Sequence, residues 1–328
     1  MVAHLRVGGE AGAQGLIPTT DRFGTALADI ERCGRCGHMQ LSRGLEETDL
    51  EQAYSAAESE DYVGEEIGQR ATARQILQTV ESHVARGGLL DVGCWVGFLL
   101  SEAQGRGWSP AVGVEPSAFA SAYARERLGL DVRSEGLMGA ELAPDAFACV
   151  VLADVIEHLP DPGAALDRVG GLLAPAGVLS DGGVVALALP DAGSPLARTM
   201  GRRWWSILPT HVQYFTRHSG VLLDRHGFEV VELRSAPKVF TVGYYLNRLS
   251  GYSTALGSGL ARMARGVGVA DRLWAPDFRD RMLVIARRRT AGREASRPPV
   301  PAPEGIDEPA RAWTQGASSV GGGGHPGV

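Results

Sequence analysis

A doubly wound α/β sheet is the fold this chain predicts, and three observations predict it. Between residues 65 and 289 short apolar, β-branched runs alternate with amphipathic stretches, the pattern of β-α-β units around a parallel sheet. The runs are bounded by Gly, Pro and Asp, which punctuate strand ends. No internal repeat is visible, which argues against a solenoid or propeller.

Three regions follow from this reading. Residues 1–64 form an N-terminal appendage in which a Cys33-Gly-Arg-Cys36 knuckle precedes an acidic, helix-compatible stretch at 45–60. Residues 65–289 hold the α/β domain, with strands expected at 89–92, 111–114, 147–153, 184–189, 230–233 and 282–286. Helices fall between them. Ser117 is a suitable N-cap for a helix running to Leu128 with Gly129 as its stop. Pro162 sits where a first helical turn tolerates proline, ahead of a helix over 164–173, and a helix over 219–226 ends in Gly227. Residues 290–328 mix Arg, Pro and Ser with a run of four glycines; their apolar content is too low to offset the entropy of ordering, so a disordered tail is expected.

Composition narrows the function classes. A chain of 328 residues with 44% hydrophobic and 21% charged residues can bury a core of globular type. Its formal net charge of -6 argues against a dedicated nucleic-acid binder, which needs a basic surface to displace counterions. No apolar run approaches bilayer length, and residues 1–15 lack the charged start and apolar core of a signal peptide, so a cytoplasmic protein is expected. Cys94 and Cys149 fall in apolar, strand-like runs apart from the Cys33–Cys36 pair, which is not the spacing of a disulfide framework.

The most informative stretch is Leu89-Leu-Asp91-Val-Gly93-Cys94-Trp95-Val-Gly97, a strand running into a glycine turn and a helix. A second strand ends in Gly113-Val-Glu115-Pro116. In doubly wound sheets ligands lie beyond the carboxyl ends of the strands where strand order reverses, and these two loops would flank that crevice. Gly93 and Gly97 would let the backbone approach a ligand with no Cβ in the way. Glu115 could accept hydrogen bonds from both hydroxyls of a ribose. A dinucleotide site needs G-x-G-x-x-G, but counting from Gly93 the later glycine positions hold Trp95 and Phe98. The acid Asp91 suits a ligand carrying an ammonium and a sulfonium better than a diphosphate.

Asp91-x-Gly93-Cys94-x-x-Gly97, Gly113-Val-Glu115-Pro116-Ser and Asp154-Val-Ile-Glu157-His158-Leu-Pro-Asp-Pro together resemble three successive motifs of class I S-adenosylmethionine-dependent methyltransferases. Pro209-Thr-His211-Val-Gln-Tyr214-Phe215 is similar to a His-x-x-Tyr-Phe segment of bacterial small-molecule members. The resemblance implies a seven-stranded sheet of order 3-2-1-4-5-7-6 with one antiparallel strand. It implies S-adenosylmethionine as cofactor, with Asp91, Gly93, Cys94 and Gly97 around its methionine part and Glu115 and Pro116 at the ribose. Glu135, Gly136 and Leu137 stand where the family contacts adenine, and Asp154 faces the same crevice from the fourth strand. Trp95 departs from the glycine of many members.

Methyl transfer asks an enzyme to position the acceptor and, where the nucleophile is protonated, to supply a base. Residues 198–215 combine three arginines, two tryptophans, His211 and Tyr214, enough to shape a pocket or lid; His211 is the candidate base, with Tyr214 orienting it or the substrate. Packing of the same aromatics over the sheet is the alternative, and Arg202 and Arg203 could grip a phosphorylated acceptor. Glu157 and His158 read as structural hydrogen-bonding groups. The expected acceptor is a sugar, lipid-linked, quinone-like or secondary-metabolite small molecule. A nicotinamide-dependent oxidoreductase and a non-catalytic cofactor-binding module are the competing readings. Cys33 and Cys36 form half of a zinc-ribbon knuckle, and two thiolates do not close a structural zinc site, so the reading weighs against zinc. The missing partner pair suggests a true start upstream of Met1.

Overall fold

The computed structural model describes residues 2–5, 7, 24, 26–34, 37–42, 63–176, 178–179 and 181–289. The acidic stretch at 45–60, Cys36 and the tail at 290–328 therefore lie outside the described residues.

Seven strands make the central sheet: β1 (Leu89–Val92), β2 (Ala111–Val114), β3 (Asp131–Arg133), β4 (Cys149–Ala153), β5 (Val184–Pro190), β6 (Phe228–Ser235) and β7 (Arg281–Arg288). Their order is 3-2-1-4-5-7-6, as the family resemblance implied. β7 runs antiparallel to β5 and β6, and the remaining pairings are parallel. Strands buried on both faces read as continuous apolar runs, and β4 and β5 do so, while β1 is broken by Asp91.

Helices cover both faces: α1 (Glu66–Val80), α2 (Phe98–Gly105), α3 (Ala118–Leu128), α4 (Pro162–Leu172), α5 (Pro195–Met200), α6 (Gly220–Arg225), α7 (Val242–Arg248) and α8 (Thr254–Gly266). Alternation along β1 and β4 sends Leu90, Val92, Val150 and Leu152 into one core with Leu166 and Val169 of α4. Leu89, Cys149 and Val151 enter the other with Leu77 of α1 and Leu100 of α2. Local chemistry sets the helix ends. The Ser117 hydroxyl accepts the Ala120 N–H at 3.1 Å, and Gly129 stops α3 in the left-handed region at φ 67°.

Several elements differ from the sequence reading. β4 begins at Cys149, because Phe147 pairs in isolation with Leu173. The expected helix at 219–226 divides into a single 3-10 turn, Arg217–Ser219, followed by α6. β3, implied by the seven-stranded resemblance, was not located in the sequence, and the α7–α8 insertion between β6 and β7 was not anticipated.

N-terminal strands Val2–Leu5, Ile30–Arg32 and Met39–Leu41 join Gln213–Tyr214 in a separate four-stranded antiparallel sheet, with Met39 opposite Tyr214. Ile30, Leu41, Trp204 and Tyr214 pack as its core. The chain through Thr290 forms one compact unit. Among the described residues no helix is long and apolar enough to cross a membrane.

Candidate functional site

The turn after β1 is built from left-handed backbone: Gly93, Trp95 and Gly97 have φ of 62°, 49° and 84°. The N–H groups of Gly93 and Cys94 both donate to the Val114 carbonyl, at 2.8 and 3.2 Å, which ties the turn to β2. A Cβ on Gly93 would stand 2.7 Å from Val155 Cγ2, and one on Gly97 2.5 Å from Leu130 Cδ1. Both glycines are required by their backbone conformation and by tight packing against protein.

Two acids sit side by side at the tips of β1 and β2. Asp91 is 3% exposed and Glu115 4%. Asp91 Oδ2 is buried with no hydrogen-bond partner among the described residues. Burial, and then the neighbouring Glu115, push the Asp91 carboxyl up to about 8. Glu115 accepts the Trp95 N–H through Oε2 and the Ser117 N–H through Oε1, both at 2.8 Å. Burial raises its pKa, and these two bonds partly offset the rise. The Cys94 thiol is driven up by burial and by both acids, so it stays protonated.

A cavity of about 570 Å³ opens at these tips. Its wall joins Asp91, Gly93 and Trp95 to Asp154, Lys238 and Arg281, with α1 contributing Thr72 and Ile76. Asp154, at the end of β4, has φ 59° and holds two cations: Lys238 Nζ at 2.7 Å and Arg281 Nη2 at 2.5 Å. Burial works to raise its pKa, but Arg281 and Lys238 outweigh that and hold the carboxyl well below the usual range.

The cavity unites Asp91, Gly93, Cys94 and Asp154 from the sequence-predicted set, and Glu115 joins them through the Trp95 N–H. Gly97 caps α2, and Pro116 is half-buried beside Glu115. Glu135 is exposed, Gly136 half-buried, and Leu137 packs in the core with Val112 and Val114. Pro116 and 135–137 are not among the cavity-lining residues.

His211 and Tyr214 are not among the residues lining this cavity. Both are buried in the layer that joins the N-terminal strands to the Gln213–Tyr214 strand. Burial, and next His158, push His211 well below the ordinary imidazole value, while burial raises the Tyr214 phenol. Trp204 and Tyr214 fill the small sheet's core, and Arg202 and Arg203 are exposed. What sequence reasoning missed is Lys238 and Arg281. They come from the link after β6 and the start of β7, where no motif marks them.

Glu157, His158 and His211 place their ligand atoms within 4.8 Å of one another, a set able to hold a metal ion. Neither Glu157 carboxylate oxygen has a partner among the described residues, and burial followed by Asp154 pushes it up to about 8. Burial lowers His158 to about 4; its Nδ1 lies 2.9 Å from the Thr210 carbonyl, and its ring meets His211 edge-on at 4.6 Å. At the knuckle, Cys33 is half-buried, its N–H donates to the His38 carbonyl at 2.8 Å, and the Gly37 N–H donates to the Cys33 carbonyl at 3.0 Å.

Comparison with known proteins gives the family. A family described as "Methyltransferase domain" matches residues 65–233, just over half of the chain. A ubiquinone biosynthesis O-methyltransferase of Rhodopseudomonas palustris (strain TIE-1) is 36% identical over 97 residues, 28% of this chain and 37% of that protein. One from Bradyrhizobium diazoefficiens is 34% identical over 117 residues, 33% of this chain and 45% of its own. The chain thus spans less than half the length of these curated relatives. Among solved structures, a SAM-dependent methyltransferase of Thermotoga maritima aligns over 70% of this chain and 94% of its own, at 19% identity and a TM-score of 0.45. With the matched domain, the strand order and the three motifs on β1, β2 and β4 in agreement, the chain belongs to the class I S-adenosylmethionine-dependent methyltransferase family.

Proposed function

We propose that this protein transfers a methyl group from S-adenosylmethionine to a small-molecule acceptor of the sugar, lipid-linked, quinone-like or secondary-metabolite type, in the cytoplasm. The observation that carries the reading is Asp91, whose buried Oδ2 has no partner among the described residues and whose residue lines the cavity next to Glu115. An orphaned, desolvated carboxyl is costly to keep unless a ligand completes it. A cation arriving there offsets that cost and draws the carboxyl into its ionised form. The residues fit the cofactor: Asp91 meets its cationic methionine end, and Glu115 keeps two of its roughly four lone-pair positions for ribose hydroxyls. When bound, the cofactor supplies an electrophilic methyl carbon on a sulfonium. The chain's own residues bind and orient, with Asp154, Lys238 and Arg281 forming the acceptor-side wall. A diphosphate finds no glycine cradle here, since Trp95 and Phe98 occupy the positions that would have to be open.

Thermal unfolding with added S-adenosylhomocysteine or NAD tests the reading. At one hundred times its dissociation constant a ligand stabilises by about 2.7 kcal/mol. A clear rise in Tm with S-adenosylhomocysteine and none with NAD is expected; the reverse would assign the crevice to a nicotinamide cofactor. Radiolabelled methyl transfer into small-molecule extracts then identifies the acceptor.

A further inference from the structure

We infer that Lys238 and Arg281 form a receptor for an anionic group on the acceptor, a carboxylate or phosphate, and that Asp154 is the counterion holding the pair until the acceptor arrives. The inference rests on the methyl-transfer reading for the occupant of the Asp91 end of the cavity.

The cavity has two electrical poles. Asp91 lines one, with Glu115 behind it; at the other, Lys238 and Arg281 share the carboxylate of Asp154. Asp280 accepts the Trp204 indole N–H at 3.2 Å, and burial raises its pKa.

Donors are in surplus. The Lys238 ammonium has three N–H bonds, of which one meets Asp154. Arg281 gives Nη2 to Asp154, while its Nε is buried with no partner among the described residues. A guanidinium and an ammonium lining one cavity wall suit a planar or tetrahedral oxyanion. Asp154 meanwhile keeps a left-handed backbone that a non-glycine residue holds only under outside constraint, and its two cationic partners supply one. An ion pair with a purely structural role would be expected inside the core with its donors satisfied, whereas this one borders open space with a donor to spare.

The cofactor's own carboxylate has the same chemistry as the anion proposed, so the test separates the two sources. Inorganic phosphate and benzoate are titrated calorimetrically into the full-length protein saturated with S-adenosylhomocysteine. Both should bind. Lys238→Met should weaken both by about tenfold, Lys238→Arg should retain binding, and Asp154→Asn, which removes the internal competitor, should tighten it by about threefold. S-adenosylhomocysteine affinity should stay within about threefold in Lys238→Met. Unchanged anion affinity in both Lys238→Met and Asp154→Asn would overturn the proposal. So would a tenfold loss of S-adenosylhomocysteine affinity in Lys238→Met, which would give the pair to the cofactor's carboxylate. If Lys238→Met does not fold, the Lys238→Arg and Asp154→Asn titrations decide. Wild-type protein that binds phosphate through Lys238 but no S-adenosylhomocysteine would remove the methyl-transfer reading and uphold the anion receptor.

Discussion

Asp91 links stability to pH. Its carboxyl ionises near 3.8 in an unfolded chain and near 8 in the ligand-free fold, where burial and then Glu115 oppose the charge. Between those values the unfolded chain has released a proton that the folded chain keeps. The stability this group allows is therefore full below about pH 4 and declines as pH rises toward 8. Asp91→Asn cannot ionise, so it should flatten the fall in Tm between about pH 5 and 8 while weakening S-adenosylhomocysteine binding by about tenfold. Melts across that range, with a binding titration, check both halves. His211 carries a different expectation. Buried against His158 and hydrogen-bonded to the Ser206 backbone, it should on truncation to Ala cost about 1–3 kcal/mol of stability and change turnover by less than about threefold. Urea unfolding beside a methyl-transfer assay separates the two effects, and a large loss of turnover at unchanged stability would restore His211 as the base.

Among the elements, the turn between β1 and α2 has the least tolerance. Gly97→Ala would force a side chain into φ 84° and bring its Cβ to 2.5 Å from Leu130 Cδ1, so a loss of about 3 kcal/mol is expected by chemical denaturation. The same turn was the most legible part of the sequence. β1 and β2 are short apolar runs ending in an acid and a glycine, and the residues that make them strands also locate the site. β3 was illegible because it has one buried residue, Val132, between exposed Asp131 and half-buried Arg133. α8 was missed because it buries Gly257, Ala261 and Ala264 and exposes Leu256 and Met263, so no large apolar stripe marks its inner face. The place of His211 and Tyr214 was not legible for a related reason: an aromatic-rich loop has the same composition whether it covers a cavity or supports a small sheet. Lys238 and Arg281 are ordinary residues that only the sheet's closing strand brings together.

For the whole molecule, the Met39–Tyr214 pairing sets the N-terminal strands into the same compact unit as the central sheet. Calorimetric unfolding of that unit should show one transition with agreeing van't Hoff and calorimetric enthalpies; two resolved peaks would mean the N-terminal strands fold apart. The antiparallel direction of β7 reaches further. Because β7 alone runs the other way, its first residue, Arg281, stands at the rim where the parallel strands finish, and it is the last of the rim's charged groups to be synthesised. On the ribosome, Asp154 emerges long before the arginine that neutralises it, and β5 waits with an open edge for its neighbour. A nascent chain halted before β7 should therefore be a holdase client with no grip on small anions, and release of this one strand should complete the sheet and the charge balance of its rim together.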